Sequence, residues 1–437
     1  MDNHRCFYRL TAGILLFLMV WPFAFVQAYP IDGYLLTGIR RLLYWERILD
    51  GTIKGTAPIA GALKKVEDIH LNLLNTPKGD SLATWPAADP ALQKAVNNLF
   101  PYLNESYSIT LLDISPGKPV RYAARQEDRG FQPGSVGKLA VITGFFCELQ
   151  NIFPDDFEAR RELMKSKSVR AGQWALYDEH TVPFFNPETN RLVKRTVQAG
   201  DVFTLYEWVD HMVSVSNNGA ASVVWREAIL MHVFGEQYPD LTEEAAEAYF
   251  KDTPKSELAD LANAVVNDPL RALGITEDEW RLGQLFTRGG TNRIPPKGGS
   301  IGTPLGLMKW MVALERGLVI DTASSLEIKR LLYMTQRRIR YASSPALSDA
   351  AVFFKSGSLY RCAPEPGFTC RKYEGNVENL MNSVAIVESP AGAPHYHYLV
   401  AITSNVKKKN SANEHQALAS RLHAALKDLR RASDARE

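Results

Sequence analysis

Cysteine is scarce: four residues are scattered through 437, with no Cys-x-x-Cys among them, so the common zinc and dithiol redox patterns are excluded. Charge of one sign is also lacking. Basic and acidic residues number 50 and 48, a formal net charge of +2, which gives no global field for holding a nucleic acid. The run Lys407-Lys408-Lys409 is too short to change this and reads as a solvated loop. Beyond the first thirty residues no apolar run is long enough to cross a bilayer, a length of about 20 residues. His395 and His397 would share one face of a strand without a third ligand beside them, so neither a metal nor an organic cofactor is expected.

At 46% hydrophobic residues the chain can bury a large core. Its N-terminus carries Arg5 and Arg9, the apolar stretch Ala12 to Val26, and then Val26-Gln27-Ala28, with small residues at the two positions a signal peptidase inspects. Residues 1–28 therefore read as a cleaved secretory signal, and the mature chain as periplasmic or secreted. The alternative is an uncleaved anchor, the only membrane attachment expected; a stretch of about 15 apolar residues containing Pro22 is short for that role. Export makes a disulfide possible, and Cys362 with Cys370, eight apart in a Pro/Gly-rich loop, are the natural pair. Cys147 falls in an apolar helix and reads as a buried thiol.

Residues 29–86 read as a helical N-terminal extension, with helical apolar spacing over Leu36 to Leu49 and Gly61 to Leu74. Its bland reading is a packed or docking appendage. Asp89-Pro90 then offers a cap and a first-turn proline for a helix. Ser108 to Ile114 and Val120 to Arg125 read as a strand pair across Ser115-Pro116-Gly117-Lys118-Pro119. From Ser135 to about residue 345 almost every periodic segment is helical. Strand character returns at Ala351 to Tyr360, Asn382 to Glu388 and Tyr396 to Ser404, and a helix opened by a capping box at Ser411 to Glu414 closes the chain. The expected fold is α+β, an α/β sandwich over residues 87–432: a five-stranded antiparallel sheet flanked by terminal helices, with an all-helical domain, about 135–345, inserted between strands two and three.

Three clusters carry chemistry. Ser135 and Lys138, three apart at the start of an apolar helix, would place an amine beside a hydroxyl, a nucleophile with its base. Two other Ser-x-x-Lys copies, at Ser115 and Ser404, follow strands and read as turns. Ser216-Asn217-Asn218 falls between two helical segments, where Ser216 could relay a proton and Asn218 bind a substrate amide; alone, such a cluster reads as a helix cap. Lys355-Ser356-Gly357-Ser358 lies in an apolar strand. Lys355 and Ser356 could anchor a carboxylate, Gly357 would admit a ligand to the backbone, and the Ser358 N–H could pair with that of Ser135 as an oxyanion hole; the alternative is an edge-strand lysine facing water.

In that order the three clusters resemble the signatures of the penicillin-recognising serine hydrolases, and from Asp89 onward the layout is most similar to class A β-lactamases. The resemblance implies Ser135 as the acylated nucleophile, Lys138 as base, Ser216 and Asn218 as relay and substrate ligand, Lys355 and Ser356 as the carboxylate-binding edge, and a small-molecule β-lactam or peptidoglycan-like substrate. It also implies a carboxylate ahead of Asn292, the candidate omega-loop asparagine, and none is there: Thr287-Arg288-Gly289-Gly290-Thr291 precedes it. Glu277 and Glu279 lie upstream and would have to fold back. Asn217 stands where those enzymes usually carry aspartate. A slowly deacylating enzyme is therefore expected, with a catalytically silent module that holds cell-wall fragments or a protein as the alternative.

Overall fold

The computed structural model describes residues 28–100, 104–336 and 338–435. All but the last residue of the expected signal segment lies outside the described residues. Besides short turns and bridges, the elements in chain order are α1 (Arg40–Leu49), α2 (Pro90–Asn98), β1 (Tyr107–Asp113), β2 (Arg121–Arg125), α3 (Lys138–Ile152), α4 (Phe157–Ser166), the hairpin β3 (Thr181–Asn186) and β4 (Arg191–Thr196), α5 (Leu205–Val213), α6 (Asn218–Phe234), α7 (Glu243–Asp252), α8 (Lys255–Ala272), α9 (Pro304–Glu315), α10 (Thr322–Leu332), β5 (Ala351–Arg361), β6 (Glu378–Ser389), β7 (Tyr396–Asn405) and α11 (Ser411–Asp434).

The main sheet has five strands in the order β2-β1-β7-β6-β5, every neighbouring pair antiparallel. The chain leaves this sheet at one edge, β2, and returns at the other, β5, so the helical insertion must cross the whole sheet face. Side chains alternate between faces along a strand. On β5, Val352 and Phe354 pack with α2 and α11 in one core, while Ala351 and Phe353 join the core shared with the insertion. Lys355 is on the insertion's side by the same alternation. Helix α3 is buried nearly all round, the pattern of a central helix rather than a surface one. Gly144 in its middle lets α8 approach: a Cβ there would stand 2.4 Å from the Val265 carbonyl oxygen.

The structure departs from the sequence reading in four places. The expected helix Gly61 to Leu74 is an irregular strap with only single 3-10 turns, Ala60–Ala62 and Val66–Asp68. Its apolar side chains Ala62, Ile69 and Leu73 are buried individually along the body, so their helical spacing is coincidental. The insertion is not all helical, because β3 and β4 form a hairpin within it. Ser135 precedes the helix in a 3-10 turn, Gly134–Gly137, with α3 starting at Lys138. Helix α11 is capped by Asn410, whose side chain accepts from the Asn413 N–H; Ser411 is its first residue and donates to the Tyr373 carbonyl.

The extension is fastened by buried charge. Arg41 pairs with Asp210 and Arg40 with Glu207, both carboxylates on α5. Further along, Lys329 on α10 sits 2.5 Å from Glu315 and 3.0 Å from Glu388, Lys64 of the strap lies 2.6 Å from Glu388, and Asn72 donates its backbone N–H to Glu315 and its side-chain amide to Glu388. His397 stands close enough to Glu315 and Glu388 to share a cation with them, but the Lys329 ammonium bridges those carboxylates. His395 lies outside the strand and is exposed. Burial would raise the Glu388 carboxyl, yet Lys329, His397 and Lys64 hold it well below the usual carboxylate range. Lys329→Ala leaves buried Glu315 without its lysine and Glu388 with Lys64 alone of its two lysines, and is expected to cost about 3–5 kcal/mol in urea unfolding. A loss under about 1 kcal/mol would show that the network does not hold the strap.

Candidate active site

The three clusters meet where the insertion faces the sheet. In a 3-10 turn side chains three apart eclipse one another. Lys138 Nζ accordingly stands 3.0 Å from Ser135 Oγ. The same amine lies 2.6 Å from the Ser216 carbonyl oxygen, 3.3 Å from Ser216 Oγ and 2.7 Å from Asn218 Oδ1. Lys355 Nζ reaches Ser216 Oγ at 2.8 Å and the Ser356 carbonyl at 3.0 Å. Ser216 thus bridges the two lysines.

Its backbone makes this possible. Ser216 has φ of 60°, in the left-handed region that an ordinary residue enters at a cost. The turn between α5 and α6 is held by Asn217, whose Oδ1 caps the Ala220 N–H and whose Nδ2 donates to the His180 carbonyl. Asn217 is therefore the structural member of the trio, which leaves Ser216 and Asn218 to face the lysines.

Gly357 is where β5 meets the serine turn. A Cβ there would stand 2.5 Å from the Pro133 carbonyl oxygen and 2.8 Å from the Ser135 nitrogen, so only glycine lets the strand lie against that turn. Asn382, paired with Gly357 across β6, donates to the carbonyls of Gln132 and Pro133 and fixes the loop from behind. The Ser135 and Ser358 backbones are thereby brought face to face.

Burial sets the electrostatics. Lys138 is wholly buried and Lys355 only 3% exposed. Desolvation brings Lys138 down to about 7, with Asp178 pulling the other way and Arg340 adding to the fall. Lys355 is pushed well below the ordinary lysine range by burial, then by Lys138 and Arg340. The Lys138 amine can be neutral near physiological pH only in such surroundings.

Four contributors carry no sequence signature. Arg340, also in the left-handed region, donates to Ser356 Oγ at 2.6 Å, to Ser358 Oγ at 3.0 Å and to the Tyr373 hydroxyl at 3.2 Å. Tyr373 arrives from the β5-β6 loop, which the Cys362–Cys370 disulfide crosses. Asp178 accepts from Asn218, and the Phe286 ring centroid lies 5.1 Å from Lys138 Nζ. Each comes from a loop with no periodicity to mark it; Arg340 alone sits in a conspicuous run, Arg337-Arg338-Ile339-Arg340.

Asn292 is not in this cluster. It is exposed on the turn Arg288–Arg293, and its carbonyl accepts from Lys255. Thr287 caps that turn while Gly289 packs on the Gln173 carbonyl, so the segment offers Lys138 the Phe286 ring instead. Glu277 is exposed, and Glu279 is held by Lys309 and the Thr276 N–H; neither folds back. The other Ser-x-x-Lys copies are committed elsewhere: Ser115 Oγ to Asp113, and Ser404 Oγ to His415. Cys147 is half-buried rather than fully buried, and unpaired among the described residues.

No protein-family model matches the chain, and no curated protein matches it. Solved structures that it is similar to include β-lactamases and PBP-A. A β-lactamase from Desulfarculus baarsii is 18% identical, with 80% of this chain and 99% of that one covered at a TM-score of 0.44. One from Sphaerobacter thermophilus is 15% identical, covering 76% and 94% at 0.47. PBP-A, solved as an acyl-enzyme complex with penicillin G in its L158E mutant, is 11% identical, covering 77% and 96% at 0.47.

A lysine whose folded pKa is depressed binds its proton less tightly in the native state than in the unfolded chain. The penalty is full below about 7 and fades as pH climbs toward the unfolded lysine value of 10.5. Lys138→Met is expected to be more stable than the parent by about 1–4 kcal/mol at pH 6, with the advantage shrinking steadily to pH 10. Urea denaturation across that range checks it. A difference flat in pH would mean that the buried amine keeps its proton.

Proposed function

We propose that the chain is an exported serine acyl-hydrolase of the β-lactamase and penicillin-binding type, acylated at Ser135. The observation that carries this is the set of partners around Lys138. A neutral amine has two N–H donors and one lone pair. The Ser216 carbonyl and Asn218 Oδ1 can only accept, at 2.6 and 2.7 Å, and together they use both donors. The lone pair is left for the Ser135 hydroxyl at 3.0 Å. An amine in that state can take the hydroxyl proton as the oxygen attacks a carbonyl.

The remaining steps have groups at hand. The Ser135 and Ser358 N–H groups would receive the oxyanion, and Ser216, whose hydroxyl accepts from Lys355 at 2.8 Å and lies 3.3 Å from the Lys138 amine, would return a proton to the leaving nitrogen. Lys355 and Arg340, with Ser356 and Ser358 between them, form a cationic edge suited to a substrate carboxylate such as a β-lactam or a peptidoglycan-like peptide carries. Asn218 would hold the substrate amide. Deacylation is a different matter. The segment that could bring a carboxylate beside Lys138 brings Phe286, and exposed Arg288 follows it, so the acyl-enzyme should persist.

Intact-protein mass spectrometry after mixing with penicillin G is expected to show a long-lived adduct on Ser135, absent from Ser135→Ala. Labelling that survives that substitution would falsify the assignment. Adduct formation should rise with pH through a midpoint near 7, where Lys138 loses its proton, and Lys138→Ala should slow it by about 10²–10⁴. Lys355→Ala should raise the penicillin concentration needed for half-maximal labelling by about tenfold or more; an unchanged requirement removes its anchoring role.

A further inference from the structure

Asp178 belongs to none of the motifs, yet its side chain is 3% exposed and every polar group near it donates to it. It accepts from the Asn218 N–H at 2.6 Å, the Gly219 N–H at 3.3 Å, Asn218 Nδ2 at 3.2 Å, the His180 N–H at 3.3 Å and His180 Nδ1 at 2.6 Å. Two of these are the first N–H groups of α6, which Asn217, capping one residue further on, leaves open. A helix-capping carboxylate would need no more than those two. The third, to the side-chain amide of Asn218, has a chemical consequence.

We propose that Asp178 is a positioning residue for the Ser135 and Lys138 pair: its carboxylate fixes which atom of the Asn218 amide faces Lys138, and so aims the Lys138 lone pair at Ser135. This rests on the reading of Ser135 as nucleophile and Lys138 as its base. An ionised carboxylate accepts only, so Asn218 must turn its NH2 toward Asp178 and its carbonyl toward Lys138. In that orientation Asn218 Oδ1 takes one amine hydrogen at 2.7 Å, the Ser216 carbonyl takes the other, and the lone pair meets the serine. Rotated by half a turn, the amide would donate into the lone pair instead and compete with the Ser135 hydroxyl for it.

Among the described residues, Asp178 also supplies the negative charge that acts on Lys138 against the positive charge of Arg340. His180, half-exposed, faces Asp178 from the side away from the amine, the Phe286 ring covers Lys138 from the segment before α9, and Tyr373 touches Arg340. Removing the Asp178 charge therefore has two opposed effects. The lysine should lose its proton at lower pH, making more neutral amine available, while that amine is aimed less well. A residue that only capped α6 would leave the aim of the amine unchanged.

The test uses Asp178→Asn and Asp178→Ser, both of which keep a neutral acceptor for the helix end, in mature protein carrying 13Cε-labelled lysine. The Lys138 resonance is assigned by its loss in Lys138→Met. Its titration midpoint is expected to fall by about one unit or more from the parent value near 7. Acylation by penicillin G, followed against pH, should show its acid limb displaced by the same amount and its high-pH plateau lowered about tenfold or more. A Lys138 midpoint that stays in place in both variants overturns the proposal, as does a displaced limb with an undiminished plateau. A parent protein that forms no adduct would sink the acyl-enzyme reading by itself; the lysine titration, which needs no substrate, then decides whether Asp178 governs the amine.

Discussion

A lysine amine held out of water, with no carboxylate among the described residues in hydrogen-bond contact, is the constraint around which this molecule is arranged. Bringing Lys138 from its ordinary 10.5 to about 7 corresponds to roughly 5 kcal/mol at about 1.4 kcal/mol per unit. That sum is comparable to the net stability of a whole domain. It is tolerable only in a structure with a large apolar reserve, which α3 and its neighbours supply: the helix that begins with Lys138 continues through Leu139, Val141, Ile142, Phe145 and Phe146, all fully buried. The charged partners that would relieve the amine are kept for other places, as the contrast with Lys329 shows. Lys329 is equally buried but bridged to Glu315 and Glu388, and its pKa is raised rather than lowered. One fold thus holds two buried lysines in opposite states, and only the composition of their surroundings separates them.

The remaining architecture makes that arrangement rigid. Because the insertion leaves the sheet at β2 and returns at β5, the serine turn and the lysine-bearing edge strand come from opposite ends of the topology and close on each other at Gly357. Ser216, Arg340 and Tyr373 all have positive φ, and all stand in or beside the site. Such conformations persist where surrounding contacts overdetermine them. The extension contributes here too. By pairing Arg40 and Arg41 with Glu207 and Asp210 it grips α5, the helix whose end becomes the Ser216 turn.

The elements with strong periodicity were legible in the sequence. The five sheet strands, the terminal helices and most of the inserted helices follow from apolar spacing, and the three polar clusters were conspicuous because each interrupts such a pattern: Lys355 most plainly, in an otherwise apolar strand. What escaped had no pattern to interrupt. Asp178 and Phe286 sit in irregular loops whose sequence neighbours are far from the site, and Arg340 is one arginine in a basic run. The strap at Gly61 to Leu74 misled for the opposite reason. Its apolar residues recur at helical spacing, but they are buried from an irregular strap, and the polar residues between them, Lys64 and Asn72, turn inward to the buried carboxylates. Asn292 misled because the glycines before it press the turn's backbone inward and leave the Asn292 side chain outside, which its place in the sequence does not reveal.

The charge balance of the cleft bears on what it would receive. Lys138, Lys355 and Arg340 converge on Ser216, Ser356 and Ser358, with Asp178 turned away toward the α6 terminus. Lys355 is depressed for want of a partner: burial and its two cationic neighbours all disfavour its proton. An anion placed between Lys355 and Arg340 would reverse the sign of that environment and favour the proton on Lys355, while Lys138, tied to neutral acceptors and covered by Phe286, would feel it less. On the proposed reading one substrate carboxylate could therefore drive the two lysines apart, leaving Lys355 charged as an anchor and Lys138 neutral as a base. Two amines so alike in burial acquire different roles because only one of them lies at the cationic edge where a carboxylate can reach it.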